Sequence, residues 1–164
     1  MNVYVHAADP QEGTQKEIEL SEWSWRPVCS IMAVANETIR ARTGNLLLRR
    51  DMTEDFEGQH GYAIMEEDIV NQIADEMLRL ADTPEELESY GVRVEVQNGN
   101  FIYTYPTESC TASFEKKSDG EVILDPKDYE DDEIRSCFWV SEKQLKETIQ
   151  FFKTSGGFGL PYCG

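Results

Sequence analysis

The stretch VRVEVQNGNFIYTY, residues 92–105, decides the fold. Apolar and polar residues alternate over 92–96, Asn98-Gly99 is the strongest short signal for a two-residue turn, and alternation resumes over 100–105. An antiparallel hairpin is therefore predicted. Immediately upstream the rhythm is different. Over about 66–81, Ile69, Ile73, Met77, Leu80 and Ala81 fall on one helical face, and Asp68, Gln72, Asp75, Arg79 and Asp82 fall on the other. A helix followed directly by a hairpin, with no return to a parallel strand, indicates an α+β arrangement.

Working outward, Thr83-Pro84 opens a short helix that ends near Tyr90-Gly91, with Thr83 as cap and Pro84 at its first position. NVYVHA (2–7) alternates and reads as a strand, followed by turn material at 9–15. Val28, Ile31, Met32, Ala35 and Ile39 predict a helix that begins near Pro27, runs to about Arg42 and stops at Gly44 in a left-handed cap. Residues 45–64 read as irregular. TASFEKK (111–117) and EVILD (121–125) predict a second hairpin, and IRSCFWV (134–140) a short strand.

The last helix carries the clearest local signature. Ser141 and Gln144 form a capping box, Val140 and Leu145 a hydrophobic staple, and Leu145, Ile149 and Phe152 one buried face widened by Phe151. The expectation is a single α+β domain over residues 1–164. An antiparallel sheet of hairpins would pack against two or three amphipathic helices.

The chain has 164 residues, enough to bury a sizeable core, and a net charge of −17. Its acids are unevenly spread. Residues 51–90 hold thirteen acids and only Arg79 as a base, whereas residues 1–50 are balanced. Binding of phosphate backbones relies on Lys and Arg, so direct nucleic-acid binding is disfavoured and a basic protein partner is favoured. The plainer alternative is that the acids only keep the protein soluble. No apolar run is long enough to span a membrane, and the N-terminus lacks the pattern of a secretory signal. Cys29, Cys110, Cys137 and Cys163 are widely spaced, which fits reduced thiols better than zinc or a disulfide framework. A cytoplasmic location is expected, and the oligomeric state is left open.

Candidate chemistry is sparse. SGGFG (155–159) follows a helix instead of opening one, so it is expected to stop that helix, with Gly156 left-handed and Phe158 folding back, and not to cradle a phosphate. His6 falls in a strand; His60 lies in a glycine-bounded loop and is the better placed of the two for general-base work. Cys110 is a nucleophile candidate only if a base meets it in space. DYEDDE (128–133) lacks the glycine of a calcium loop. Trp23 and Trp25 are expected to cover the core. No cofactor and no metal is expected.

The closing TIQFFKTSGGF (148–158) resembles the ending of small uncharacterised bacterial proteins, some of them immunity-protein-like, that finish in an amphipathic helix followed by Ser-Gly-Gly-Phe. Ile149, Phe151, Ser155, Gly156, Gly157 and Phe158 match that pattern, and WSWRPVCSIMAVANE (23–37) is reminiscent of the same group. The resemblance implies a small binding protein and carries over no catalytic residue.

Charge and resemblance together give the leading expectation, an acidic cytoplasmic module that inhibits a basic partner. The residues expected to meet that partner are Glu66, Glu67, Asp68, Asp75 and Glu76, with Asp131 and Asp132 as a second patch. The alternatives are a small hydrolase or transferase with a site near His60 or Cys110, and a DNA-mimicking inhibitor whose acids are spaced along an elongated face.

Overall fold

The structure, a computed structural model, describes residues 2–50, 63–64, 66–97, 100–104 and 139–159. Within them lie strands β1 (Asn2–Ala7) and β2 (Glu17–Ser21), helix α1 (Glu22–Thr43), strand β3 (Ala63–Ile64), helices α2 (Glu67–Ala81) and α3 (Pro84–Ser89), strands β4 (Arg93–Gln97), β5 (Asn100–Thr104) and β6 (Trp139–Ser141), helix α4 (Glu142–Thr154) and strand β7 (Phe158–Gly159). The α+β class expected from the sequence is the one observed. The expected second hairpin at 111–125 and residues 134–138 of the expected strand lie outside the described residues.

The strands form two antiparallel sheets instead of one. The first has the order β2-β1-β7-β3, the second β4-β5-β6. In the second, Gln97 faces Asn100, so the β4–β5 connection is the two residues Asn98-Gly99. The first sheet joins the two ends of the described chain, because β7 inserts between β1 and β3. Sequence reading anticipated β1 and the β4–β5 pair. It missed β2, and it missed the pairing of the closing stretch because the two residues of β7 carry no periodicity to detect.

Helix α1 begins at Glu22, five residues before the expected start near Pro27. Ser21 is its N-cap, with the hydroxyl oxygen accepting from the Ser24 backbone N–H at 3.2 Å. Pro27 therefore lies inside the helix, where it removes one backbone hydrogen bond but, near the N-terminus, leaves the rest intact. The earlier start carries Trp25 into the core, where it is fully buried. The expected stop is where the helix ends: Gly44 has φ 81° and its N–H donates to the Arg40 carbonyl.

One contiguous apolar cluster fills the space between helices and sheets, and α2 packs against both α1 and α4. Val3, Val5 and Leu20 enter it from the first sheet, Tyr103 and Val140 from the second. The Tyr103 hydroxyl donates to the Ala81 carbonyl at 2.6 Å, which satisfies one of the carbonyls that the end of α2 leaves without a helical partner. Ser141 caps α4, accepting from the Gln144 N–H at 3.2 Å. At the other end Gly156 has φ 65°, and the Phe158 ring stacks on Phe152 with centroids 4.3 Å apart and planes 15° from parallel. The glycines of the closing stretch thus stop the helix and turn its aromatic tail back onto the core.

Candidate acidic interface

The acidic surface is built on α2. Its apolar stripe buries Val70, Ile73, Ala74, Met77, Leu80 and Ala81, so the opposite stripe points outward and Asp68, Gln72, Asp75, Arg79 and Asp82 are exposed. Glu66 is the N-cap with extended backbone, and Glu67 and Asp68 form the first turn. Negative charge here is favourable to the helix, whose N-terminal N–H groups lack partners. Among the described residues, no cation forms an ion pair with Glu66, Glu67 or Asp68.

The remaining acids of this region are treated differently. Asp75 meets Lys153 of α4 at 2.8 Å while staying largely exposed. Asp82 meets Lys146 at 3.1 Å. Two lysines of α4 therefore reach across to α2 and partly neutralise its outer stripe.

Glu76 does not belong to the partner-facing set in which the sequence put it. Only 5% of it is exposed. Its carboxylate accepts from Arg42 at 2.8 and 2.7 Å, from Arg79 at 3.0 and 2.6 Å, and from the Thr38 hydroxyl at 2.9 Å. Burial by itself would raise this carboxyl. The hydrogen bonds from Arg42, Arg79 and Thr38 and the nearby Arg79 charge outweigh burial and bring it down to about 2. Arg79 goes on to bridge to Glu86 at 2.6 and 2.9 Å; bonded first to Glu86 and then to Glu76, it is held more firmly protonated, and the bond from Arg79 lowers Glu86. This chain of charges joins α1, α2 and α3 and is spent on the fold. Its signal was present in the spacing, since Glu76 stands three residues after Ile73 and four before Leu80.

On α3, Glu85 and Glu88 are exposed and form no ion pair with the described residues. They were absent from the expected set. They sit beyond the C-terminal end of α2, roughly 20 Å from Glu66 at helical rise. The open acids therefore occupy the two ends of α2, with Lys153, Arg79 and Lys146 interrupting the run between them.

Asp131, Asp132, His60 and Cys110 lie outside the described residues. His6 is on the solvent face of β1 with Nε2 2.7 Å from Glu17. Among the described residues, no group of three His, Cys, Asp or Glu side chains is arranged to hold a metal ion, and no helix is long and apolar enough to cross a membrane. No family model matches the chain, and neither a curated protein nor a solved structure matches it.

Proposed function

We propose that this protein is a small binding module that captures a basic protein partner through the first turn of α2, in the manner of an inhibitor or immunity-like protein. The observation that carries the reading is the contrast within one helix. Glu76 is consumed by Arg42 and Arg79, and Asp75 is partly neutralised by Lys153, whereas Glu66, Glu67 and Asp68 project together without a cation of their own among the described residues. The resemblance of the closing helix and Ser-Gly-Gly-Phe to immunity-like proteins supports the same reading. A cytoplasmic setting goes with it, since the four cysteines are spaced for thiols.

Lysines and arginine break the acidic run along α2, which favours discrete ion-pair anchors over the regular ladder of a nucleic-acid mimic. Charges at an interface rim act mainly on encounter, so their removal slows association more than it speeds dissociation. The test is the double charge reversal Glu67→Lys/Asp68→Lys, measured as the association rate with a basic partner isolated from the native host. The rate is expected to fall at least tenfold at low salt and to lose its dependence on ionic strength. An unchanged rate and salt slope would remove the first turn of α2 from the interface.

A further inference from the structure

The edge of the first sheet offers a different kind of surface. The Ala7 N–H donates to the Lys16 carbonyl at 2.9 Å, and the register pairs Val5 with Ile18 and Val3 with Leu20. In an antiparallel ladder, residues that exchange both backbone hydrogen bonds alternate with residues that exchange none. The backbone groups of Ile18 and Leu20 therefore face β1, and those of Glu17 and Glu19 face away from it. Strand β2 is the outermost of its sheet, so among the described residues these outward N–H and C=O groups form an open edge.

A cavity of about 250 Å³ runs beside this edge, lined on one side by residues 17–20 and on the other by Glu147 and Thr148 of α4. Its charge is negative. Glu17 and Glu19 are exposed on the outer face of β2, and Glu147 is exposed on α4. Glu19 accepts from the Asn2 amide, a neutral donor, and no cation among the described residues pairs with Glu19 or Glu147. The inner wall is Ile18, half-buried, with Leu20 and Thr148 buried.

We propose that this edge takes an extended basic segment of a protein partner by strand addition. Main-chain hydrogen bonds to Glu17 and Glu19 would supply the register, as in other cases of peptides that extend a sheet. Because side chains alternate along a strand, Lys or Arg at every second position would lie beside Glu17 and Glu19 on the outer face, and the residues between them would lie over Ile18 and Leu20 on the face toward Glu147 and Thr148. A second copy of this chain is the poorer occupant, since edge-to-edge pairing would set Glu17 and Glu19 against themselves. The proposal rests on the reading that the partner is basic, and it names a second contact, separate from α2.

The probe is the peptide acetyl-Lys-Val-Lys-Val-Lys-Val-Lys-amide, titrated into the ¹⁵N-labelled full chain. Saturable amide shifts are expected at 15–21 and 144–148, with slowed hydrogen exchange at Glu17 and Glu19. Methylating the backbone nitrogens of alternate residues in the peptide should weaken binding at least tenfold. Glu19→Pro, which removes an outward N–H and no ladder bond to β1, should do the same while α2 and α4 amides keep their positions. Glu17→Lys/Glu147→Lys, two exposed replacements, tests the charge term without touching the backbone. Shifts confined to residues 66–75, insensitive to Glu19→Pro and to the charge reversal, would overturn the edge assignment and leave the α2 reading standing. No saturable shift anywhere at millimolar peptide would overturn both.

Discussion

Arg42, in the last turn of α1, grips the Glu76 carboxylate through both terminal guanidinium nitrogens, at 2.8 and 2.7 Å. The pairing fixes where α1 crosses α2, because a forked donor meets a carboxylate in one plane. Its two partners are not equivalent. Glu76 is buried, whereas more than half of the Arg42 side chain is exposed. Breaking a buried pair costs about 3–5 kcal/mol when a charge is left stranded, and much less when the survivor can turn to water. Glu76→Ala is expected to destabilise by about 2 kcal/mol, as Arg42 and Arg79 swing outward. Arg42→Ala leaves Glu76 with Arg79 and Thr38 and is expected to cost less than Glu76→Ala. Urea denaturation of the two variants checks the order.

The same carboxylate predicts an acid limb of stability. A carboxyl at about 2 in the folded chain and 4.5 when unfolded stabilises the fold fully above the unfolded value, and that stabilisation disappears as pH falls from 4.5 to 2. The amount is on the order of 3 kcal/mol. Glu37, through its bond from Arg50, and Glu86, through its bond from Arg79, are lowered in the same sense. Urea midpoints should drop between pH 5 and pH 2.5, and Glu76→Gln should show a visibly smaller drop. Equal acid sensitivity in the two proteins would contradict the assignment.

Gly156 and Gly44 separate two reasons for a glycine. Both have positive φ, at 65° and 81°. A Cβ at Gly156 would stand 2.5 Å from the Asp9 carbonyl oxygen, whereas at Gly44 nothing lies within 4 Å. Gly44→Ala should cost only the left-handed strain, about 1 kcal/mol. Gly156→Ala adds a backbone clash and should cost at least twice that, with loss of the Asp9 N–H bond to the Ser155 carbonyl. Thermal unfolding and exchange at the Asp9 amide report the two effects.

Phe152 is fully buried, stacked on Phe158 and met edge-on by Trp25 at 6.5 Å. Phe152→Ala is expected to cost about 3–5 kcal/mol. Ser141→Ala, at the other end of the same helix, removes one cap and should cost about 1 kcal/mol. A near-equal loss in both would mean that the aromatic stack has relaxed around the cavity.

Local chemistry makes much of this fold legible in the sequence. The hairpin was visible because period-two alternation brackets Asn98-Gly99, and α4 because Ser141 and Gln144 stand at the spacing a cap requires. The stops at Gly44 and Gly156 were visible because left-handed backbone selects glycine. The start of α1 was misjudged because Pro27 reads as a first-turn residue, whereas the Ser21 cap and the turn that follows it become favourable once Trp25 has a core to enter. Glu76 was misjudged because its charge outweighed its place three residues after Ile73 and four before Leu80, and the partners that make its burial favourable, Thr38 and Arg42, lie more than thirty residues away.

The chain's own order of residues settled the period, the caps, the charge and the class of fold, since each depends on neighbours within one or two turns. Which acids remain available to a partner was settled only by folding. Ion pairs across α1, α2, α3 and α4 withdrew Glu76 and Glu86, partly neutralised Asp75 and Asp82, and left Glu66, Glu67 and Asp68 outward. The open edge of β2 has the same origin: strand order is a long-range outcome, and here it sets the two ends of the described chain side by side with Glu17 and Glu19 on the rim.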